Sequence, residues 1–510
     1  MEKNQYILFN TIIMNIKTLI IIVLSFITSR YTLKLLGVEG YGLYFLIAGL
    51  TATFEFLCSA MASTTSRYFI LAEGKKDFNN SNILFNTLHF IYKKTTTIIL
   101  LIIEVFGIIM LFTFLKIPEG KVVTSIIIFQ IMVFDTYYKL KVIPYNSLLI
   151  AKENFVFINL VSIGQSILKL GLVLFLFLIP TQRIFLYTAS IFILSYFARF
   201  YTQKFVSRRY FESFLDKTKV DFSIKKDIIS FLKYTWIGQL AGIIQTQGTN
   251  FLLNIFSRGV IYNATFAVAR QVTSVSDMAF TPISQTIMPQ TLKSYSEQNY
   301  SRFQNLTIFN SKLGIMLSWL VIIPLFVEID FVFNIWLEEV PPCATYVARV
   351  ILISEMIKQL YNGLSMSCVV SDKVKRIYLF QTIIRIVVFM SITLLLYFMH
   401  FSPLYIFYVD ILVNIVYLFL YLQFVKRLGI KIGNFVKKVL IPCCIGGVVS
   451  IVLALKIQSF IFFGFISHLL FVIGIVLVLL FFFIFFVLSK EECTKIKNII
   501  VTVIIKFINK

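Results

Sequence analysis

A predicted helix at residues 260–285 carries a row of polar residues that could bind a charged ligand. The members of this row are Asn263, Arg270, Ser274, Asp277 and Thr281. They follow one another at steps of seven, four, three and four, so they share one helix face, and the other faces are apolar. Arg270 could donate charge-assisted hydrogen bonds to an anion, or it could bind carbonyl groups of a neighbouring helix. The length of the row favours exposure to a polar cavity.

Other apolar segments carry polar side chains that could act with this row. A charge at bilayer depth costs at least about 2.5–3.5 kcal/mol, so it usually faces a cavity or a partner. Lys17 could contact a substrate or pair with Glu55, and Glu355 is expected to pair with Lys358 within one helix. The candidate substrate-binding cations are Lys17, Lys169 and Arg270; the candidate polar residues of the cavity are Asn250, Asn263, Ser274 and Asn362; and the candidates for ion coupling or charge pairing are Glu55, Glu104, Asp135 and Asp277.

The elements that must position these residues are membrane-spanning helices. Apolar segments of about 20 residues, long enough to cross a bilayer, recur about fourteen times along the 510 residues, for example at 7–28, 40–62 and 183–203. Hydrophobic residues make up 58% of the chain and charged residues only 14%, against about 25% charged in soluble proteins. The sequence therefore predicts an all-α integral membrane protein in which any functional site lies within the helix bundle.

The distribution of basic residues predicts the orientation of the helices. Cytoplasmic loops carry an excess of Lys and Arg, and every second loop here is basic. The loop after the fourth predicted span, for example, is assigned Lys139, Lys141 and Lys152. This alternation places both termini in the cytoplasm, although Arg30 and Lys34 fall on the predicted outer side. The net charge of +23 lies in short loops, which argues against a nucleic-acid partner.

Several classes of site are absent from the sequence. The three histidines are scattered and the six cysteines show no metal-ligand spacing, so neither a metal site nor a disulfide is expected. No phosphate-binding glycine loop or nucleophile motif occurs in a usable context. We expect no cofactor and no enzymatic activity.

An internal similarity suggests that the chain is built from repeated bundles. The segment that starts at Gly37 resembles the segment that starts at Gly259, and with one gap Phe45 falls opposite Phe266. Six predicted helices separate the two segments, which fits parallel lobes. The predicted organisation is an amino-terminal lobe of six helices at 1–215, a carboxy-terminal lobe of six at 216–432, and two further helices with a basic amphipathic tail at 433–510.

The run from Ser29 to Tyr44, with its LLG-x-x-x-YG-x-Y pattern, resembles polysaccharide flippases of the Wzx type. These belong to the multidrug/oligosaccharidyl-lipid/polysaccharide exporter superfamily, together with the MATE exporters. The resemblance implies a MATE-like V-shaped bundle that flips undecaprenyl-diphosphate-linked oligosaccharide to the outer leaflet by alternating access. It also implies a place in O-antigen, lipopolysaccharide or capsule biosynthesis at the cell inner membrane. The implied partners are membrane lipids and the polymerase and chain-length proteins of that pathway.

Two other functions remain open from the sequence. A MATE-type multidrug or cation antiporter would share the fold, but a cation substrate would favour a cavity with net negative charge. This function also does not explain the LLG-x-x-x-YG pattern. A polytopic glycosyltransferase or polymerase would be expected to carry a long outer loop with catalytic residues, and every predicted outer loop is short.

Overall fold

The computed structural model describes residues 3–74, 78–215, 221, 236, 242–257, 259–368, 374–458 and 464–494, and every regular element in these ranges is a helix. Nine of the described helices are long and apolar enough to cross a membrane. This confirms a multi-pass, all-helical membrane protein. The predicted number was larger; two further long helices, Val122–Ala151 and Ala344–Cys368, carry three charged residues each and are not among the nine.

The described residues form two compact units. The first comprises the described part of Met1–Ala267 with Trp336–Pro342 and Thr393–Pro403, and the second comprises the described part of Val268–Ile335, Cys343–Ile392 and Leu404–Lys510. The predicted boundary between residues 215 and 216 falls where a described range ends, and the lobe assignment stays a prediction. The predicted basic tail beyond residue 494 lies outside the described residues.

In chain order, the helices are α1 (Lys3–Ala52), α2 (Glu55–Gly74), α3 (Phe78–Ile109), α4 (Val122–Ala151), α5 (Phe155–Leu176), α6 (Arg183–Arg209), α7 (Thr249–Ser257), α8 (Ile261–Ser296), α9 (Tyr300–Val327), α10 (Ile329–Trp336), α11 (Ala344–Cys368), α12 (Val374–Ile384), α13 (Ser391–Phe398), α14 (Ile406–Lys426), α15 (Ile432–Phe435), α16 (Ile441–Gln458) and α17 (Phe465–Phe482). Short π-helical turns extend α3 and α17, precede α7, and join α12 to α13 and α15 to α16.

Two breaks shape the start of the first unit. Gly37 has φ 69° and ψ 169°, a backbone conformation that residues with a Cβ rarely adopt, so it splits α1 into two helical segments. A turn at Thr53 and Phe54 then separates α1 from α2, and the Thr53 hydroxyl donates to the Gly49 carbonyl at 2.7 Å. The predicted second span, 40–62, therefore contains this turn. The turn places Glu55 in the first residue of α2.

Helix α4 lies at the centre of the first unit. It packs against α2, α3 and α6, and its Phe129 and Tyr145 are completely or almost completely buried with Phe69 and Phe85. The helix continues to Ala151, so Lys139 and the nearby Lys141 lie inside it. The sequence analysis assigned both lysines to a basic loop, and the structure corrects this.

Helix α9 lies at the centre of the second unit. In its most apolar stretch of 18 residues, 72% of the residues are buried, a larger share than in any other of the nine candidate spans. It packs against α11, α16 and α17, and α11 in turn packs against α14. Lys312 of α9 is buried and pairs with Glu492 at 2.8 Å. Residues after α17 are thus tied to the centre of this unit.

The outer surfaces of several helices are apolar. On α3, Ile98, Leu101, Ile102 and Val105 share one face and are each about half exposed. Comparable exposed rows occur on α13 and α17. Surfaces of this kind are suited to contact with hydrocarbon chains.

Candidate functional site

The row of polar residues on α8 meets a charged pair on α11. The Nη1 atom of Arg270 lies 3.7 Å from Oε1 of Glu355, and Nζ of Lys358 lies 3.0 Å from Oε2 of the same carboxylate. The pairing of Glu355 with Lys358, one turn apart on α11, confirms the prediction from their spacing. We call Arg270, Glu355 and Lys358 the cation cluster.

The members of the cation cluster differ in exposure. The Glu355 side chain is 4% exposed, whereas Arg270 is 29% exposed and Lys358 is 27% exposed. One buried carboxylate therefore holds two cations that both remain accessible, and the formal charge of the cluster is +1. An anion at this surface could accept hydrogen bonds from both cations, since a guanidinium offers five N–H donors and an ammonium three.

Two predicted polar residues lie near the cation cluster along the same helices. Asn362 is one turn beyond Lys358, and its amide donates to Oε1 of Gln359 at 3.2 Å. Ser274 is one turn beyond Arg270, and its hydroxyl donates to the Gln271 carbonyl at 2.7 Å. Both are half-buried. The side chain of Asp277 lies outside the described residues.

Helix α11 also takes part in a buried polar network through Ser354, the residue before Glu355. Arg385 is 2% exposed, and it donates to Asp410 at 2.5 Å. Ser354 donates to the same carboxylate at 2.6 Å and accepts from Asn414 at 2.7 Å. The network links α11 to α14 and to the turn after α12. Its burial fits a packing role for Arg385 and Asp410.

A cavity of about 190 Å³ lies within the first unit. Its wall comprises Tyr44, Ala48, Thr51, Ala52, Glu55, Ile131, Met132, Asp135, Thr136, Lys139, Thr188, Ile191 and Phe192. These residues come from α1, the first turn of α2, α4 and α6. Asp135 and Lys139 are four residues apart and so share one face of α4. We call this space the polar cavity.

Two ion pairs border the polar cavity. Lys139 lies 2.5 Å from Glu55, which joins α4 to α2. Arg199 of α6 donates to both carboxylate oxygens of Asp135, at 2.6 and 3.0 Å, and to its backbone carbonyl at 3.1 Å. Each carboxylate has its own cation, so the formal charge of these four residues is zero. The structure therefore pairs Glu55 with Lys139, where the sequence analysis considered Lys17.

The remaining predicted residues belong to helices α1, α3, α5, α7 and α8, in the first unit. Asn250 and Asn263 are completely buried, and the Asn263 amide donates to Asn250 at 2.6 and 2.7 Å. Glu104 accepts a hydrogen bond from Gln130 at 3.0 Å. Lys17 is half-buried on α1, and so is Lys169 on α5. Their predicted roles in substrate binding or ion coupling stay predictions.

Arg30 and Lys34, the exceptions to the loop-charge pattern, have a local partner. Lys34 lies 2.5 Å and Arg30 lies 3.7 Å from the carboxylate of Glu338. The indole of Trp336 also donates to the Phe26 carbonyl at 2.8 Å. The hydrogen bond from Lys34 lowers the pKa of Glu338 below its ordinary value. The two cations thus neutralise part of the acidic segment 328–339.

Sequence reasoning missed three residues of these clusters. Arg199 lies near the end of a predicted span. An arginine there normally extends to the membrane interface, so its position does not indicate a buried ion pair. Lys139 was counted as a loop residue because α4 extends further than its apolar run suggests. Lys358 was treated only as the partner of Glu355. The sequence of α4 did contain a signal for a polar site, because Asp135 and Lys139 are four residues apart within an apolar stretch.

The described residues contain no group of three or more His, Cys, Asp or Glu side chains that could hold a metal ion. All six cysteines are described, and none forms a disulfide with another.

No protein-family model matches the chain, and no curated protein matches its sequence. Solved structures match its fold over most of its length. The lipid II flippase MurJ, in an inward closed conformation, aligns with a TM-score of 0.67 at 14% identity, over 92% of this chain and 98% of MurJ. An inward-facing multidrug resistance MATE family transporter of the MOP superfamily gives 0.63 at 15% identity, over 79% and 95%. An outward-facing MATE family transporter gives 0.53 at 13%, over 82% and 93%. The chain therefore has the all-helical fold of these membrane transporters.

Proposed function

We propose that this protein is a flippase that moves an undecaprenyl-diphosphate-linked oligosaccharide from the cytoplasmic to the outer leaflet by alternating access. The proposal combines the fold, which lipid II flippase MurJ shares, with the Wzx-like pattern around Gly37. The observation that carries it is the cation cluster. In this proposal the chain binds and moves its substrate without changing a covalent bond.

The chemistry of the substrate explains why such a cluster is needed. A lipid diphosphate carries negative charge, and transfer of unshielded charge through hydrocarbon is prohibitively costly. Arg270 and Lys358 can replace water around the phosphate oxygens with charge-assisted hydrogen bonds. The buried carboxylate of Glu355 pairs with both cations. Arg270 can bind two phosphate oxygens at once, while Lys358 acts as a point charge.

The rival function is that of the MATE-type multidrug antiporters, whose fold is also similar. An exporter of organic cations would gain from carboxylates without cation partners. In the described clusters, Glu55, Asp135 and Glu355 each pair with at least one cation. The charge balance therefore favours an anionic substrate.

Deletion of the gene tests the proposal in cells. We expect the deletion strain to lose one surface glycan while the lipid-linked repeat unit accumulates inside, because assembly of the unit precedes its transfer. Complementation with the unsubstituted gene should restore the glycan. Failure of the unit to form would favour a glycosyltransferase, and units that reach the outer face unpolymerised would favour a polymerase. Sensitivity to organic cations with a normal glycan would favour the antiporter.

The predicted orientation, with both termini in the cytoplasm, can be tested in the same cells. Cys343 is exposed, and it follows the acidic segment that the loop charges place outside. A membrane-impermeant thiol reagent should label Cys343 in intact cells and Cys493 only after lysis. Labelling of Cys493 alone in intact cells would invert the topology.

A further inference from the structure

We propose that the polar cavity of the first unit binds one sugar ring of the transported lipid. The inference rests on the proposed function and extends it, because it assigns a second part of the substrate to a second site. The argument starts from the charge of the cavity, continues with its hydrogen-bonding groups, and ends with its size.

The charge of the polar cavity suits a neutral ligand. Glu55 and Asp135 are each neutralised by a cation within 2.6 Å. A free inorganic cation would have to displace Lys139 or Arg199, and a free anion would have to displace a carboxylate. A neutral polar group can form hydrogen bonds with both ion pairs without displacing a cation or a carboxylate.

The exposure of the ion pairs leaves hydrogen-bonding capacity at the cavity. The side chains of Glu55 and Lys139 are 43% and 40% exposed. Among the described residues Lys139 contacts Oε2 of Glu55, which leaves Oε1 as an acceptor and two ammonium N–H groups as donors. A sugar hydroxyl both donates and accepts, so neighbouring hydroxyls of one ring match this alternation of acceptors and donors.

The threonines of the wall add acceptors in fixed positions. Thr51, Thr136 and Thr188 donate their hydroxyl protons to carbonyls of their own helices, at 3.1, 2.9 and 2.8 Å. Their oxygen lone pairs remain available to a ligand. A ligand rich in hydroxyl donors is therefore favoured over one that offers only acceptors, such as a phosphate.

The remaining wall is apolar and aromatic. Tyr44 and Phe192 line the cavity from α1 and α6, and the Tyr44 ring is held edge-on by Tyr187 at 5.0 Å. Aromatic rings offer an apolar surface to the C–H face of a sugar while its hydroxyls bind elsewhere. The volume of about 190 Å³ is below the usual range for drug-sized ligands. It suits one ring of an oligosaccharide.

Two probes separate this inference from the proposed function. The first is undecaprenyl diphosphate, and the second is the lipid-linked repeat unit extracted from the deletion strain. Affinities for both are measured on the purified full-length protein in detergent. We expect the unsubstituted protein to bind the glycosylated lipid at least about tenfold more tightly, the equivalent of about one charge-assisted hydrogen bond.

Two substitutions then test the polar cavity. Glu55→Gln removes an acceptor charge, and Ala48→Leu fills the space without touching either ion pair. Both should lower the affinity for the glycosylated lipid by about tenfold. Ala48→Leu keeps both ion pairs and should also leave the affinity for undecaprenyl diphosphate unchanged. The matched control is Glu39→Gln, which removes a Lys–Glu pair with Lys121 at 3.1 Å outside the cavity and should change neither affinity.

Each outcome has a definite meaning. Equal losses for both lipids at matched amounts of folded protein would show that the cavity only supports the fold, and would overturn the inference. Equal binding of the two lipids by the unsubstituted protein would also overturn it while the proposed function stands. Failure of the unsubstituted protein to bind either lipid would contradict the proposed function itself.

Discussion

The two units use the same residue types in different proportions. The polar cavity of the first unit has two carboxylates for two cations, whereas the cation cluster of the second has one carboxylate for two cations. Both sets lie on helices, and the cations of both are only partly buried. We infer from this difference in charge balance that the second cluster suits an anion and the polar cavity suits a neutral polar group. Four experiments test the proposed roles of these charged clusters.

The largest expected effect concerns the cations themselves. Arg270→Ala and Lys358→Ala should each weaken binding of undecaprenyl diphosphate by about tenfold or more, and the double variant by about a hundredfold, because each lost charge-assisted hydrogen bond is worth about 1.5–3 kcal/mol. Arg270→Lys should retain part of the affinity. Binding is measured on purified protein at fixed salt concentration.

The matched controls come from each unit. Arg349→Ala removes an exposed pair with Asp330 on the same helix as Lys358, and Arg199→Ala removes a cation of the polar cavity. Neither should change the affinity for undecaprenyl diphosphate. If Arg199→Ala weakened it as much as Arg270→Ala does, the contrast between the units would be lost.

A smaller effect is expected from the buried carboxylate. Glu355→Gln leaves Arg270 and Lys358 without the charge that holds them, so the protein should lose stability equivalent to about 2 kcal/mol. This is less than for a fully buried pair, because both cations still reach solvent. Thermal unfolding in detergent measures the loss. Added inorganic pyrophosphate should stabilise this variant more than the unsubstituted protein, since it replaces the missing counter-charge. Equal stabilisation of the two proteins would argue against a shared anion site.

The ion pair of the first unit should behave as a structural link. Asp135→Ala and Arg199→Ala should each cost about 1–2 kcal/mol of stability, because each leaves a partly buried charge without its main partner. The double variant should lose less than the sum of the two. Pyrophosphate should not rescue Arg199→Ala, because that variant has lost a cation. Strict additivity of the unfolding data would show that the two side chains are not coupled.

The smallest effect concerns the exposed cluster of Arg30, Lys34 and Glu338. The pKa of Glu338 is lowered in the folded protein by its hydrogen bond with Lys34. The ion pair of Glu338 therefore contributes its full stability at a pH above the ordinary carboxyl pKa of 4.5. This contribution is lost as the pH falls through the lowered pKa of the folded protein. Unfolding temperatures of Glu338→Gln and the unsubstituted protein should differ slightly at pH 7 and converge as the pH falls through the lowered pKa. A difference that grew in acid would reverse this assignment.

The sequence predicts the fold more fully than it predicts the clusters. Gly37 lies between the first two predicted spans, and glycine is the residue that most readily adopts the positive φ of this break. Helical spacing predicts the pair of Glu355 and Lys358. The pair of Asp135 and Arg199 joins residues 64 positions apart, and nothing in the local pattern indicates that α4 and α6 lie side by side. The same holds for Arg270 and Glu355, which only the packing of α8 on α11 brings together. Phe45 and Phe266, aligned by the internal similarity, lie against each other with ring centres 6.2 Å apart, a contact that the alignment did not suggest.

The most direct test of the proposal is transport in proteoliposomes. The purified protein is reconstituted, and the lipid-linked repeat unit from the deletion strain is placed in one leaflet; its arrival in the other is followed by access to a sugar-modifying enzyme outside the vesicles. We expect transfer by the unsubstituted protein and by Arg349→Ala, and little transfer by the double variant of Arg270 and Lys358. No transfer by the unsubstituted protein, or full transfer by the double variant, would contradict the account.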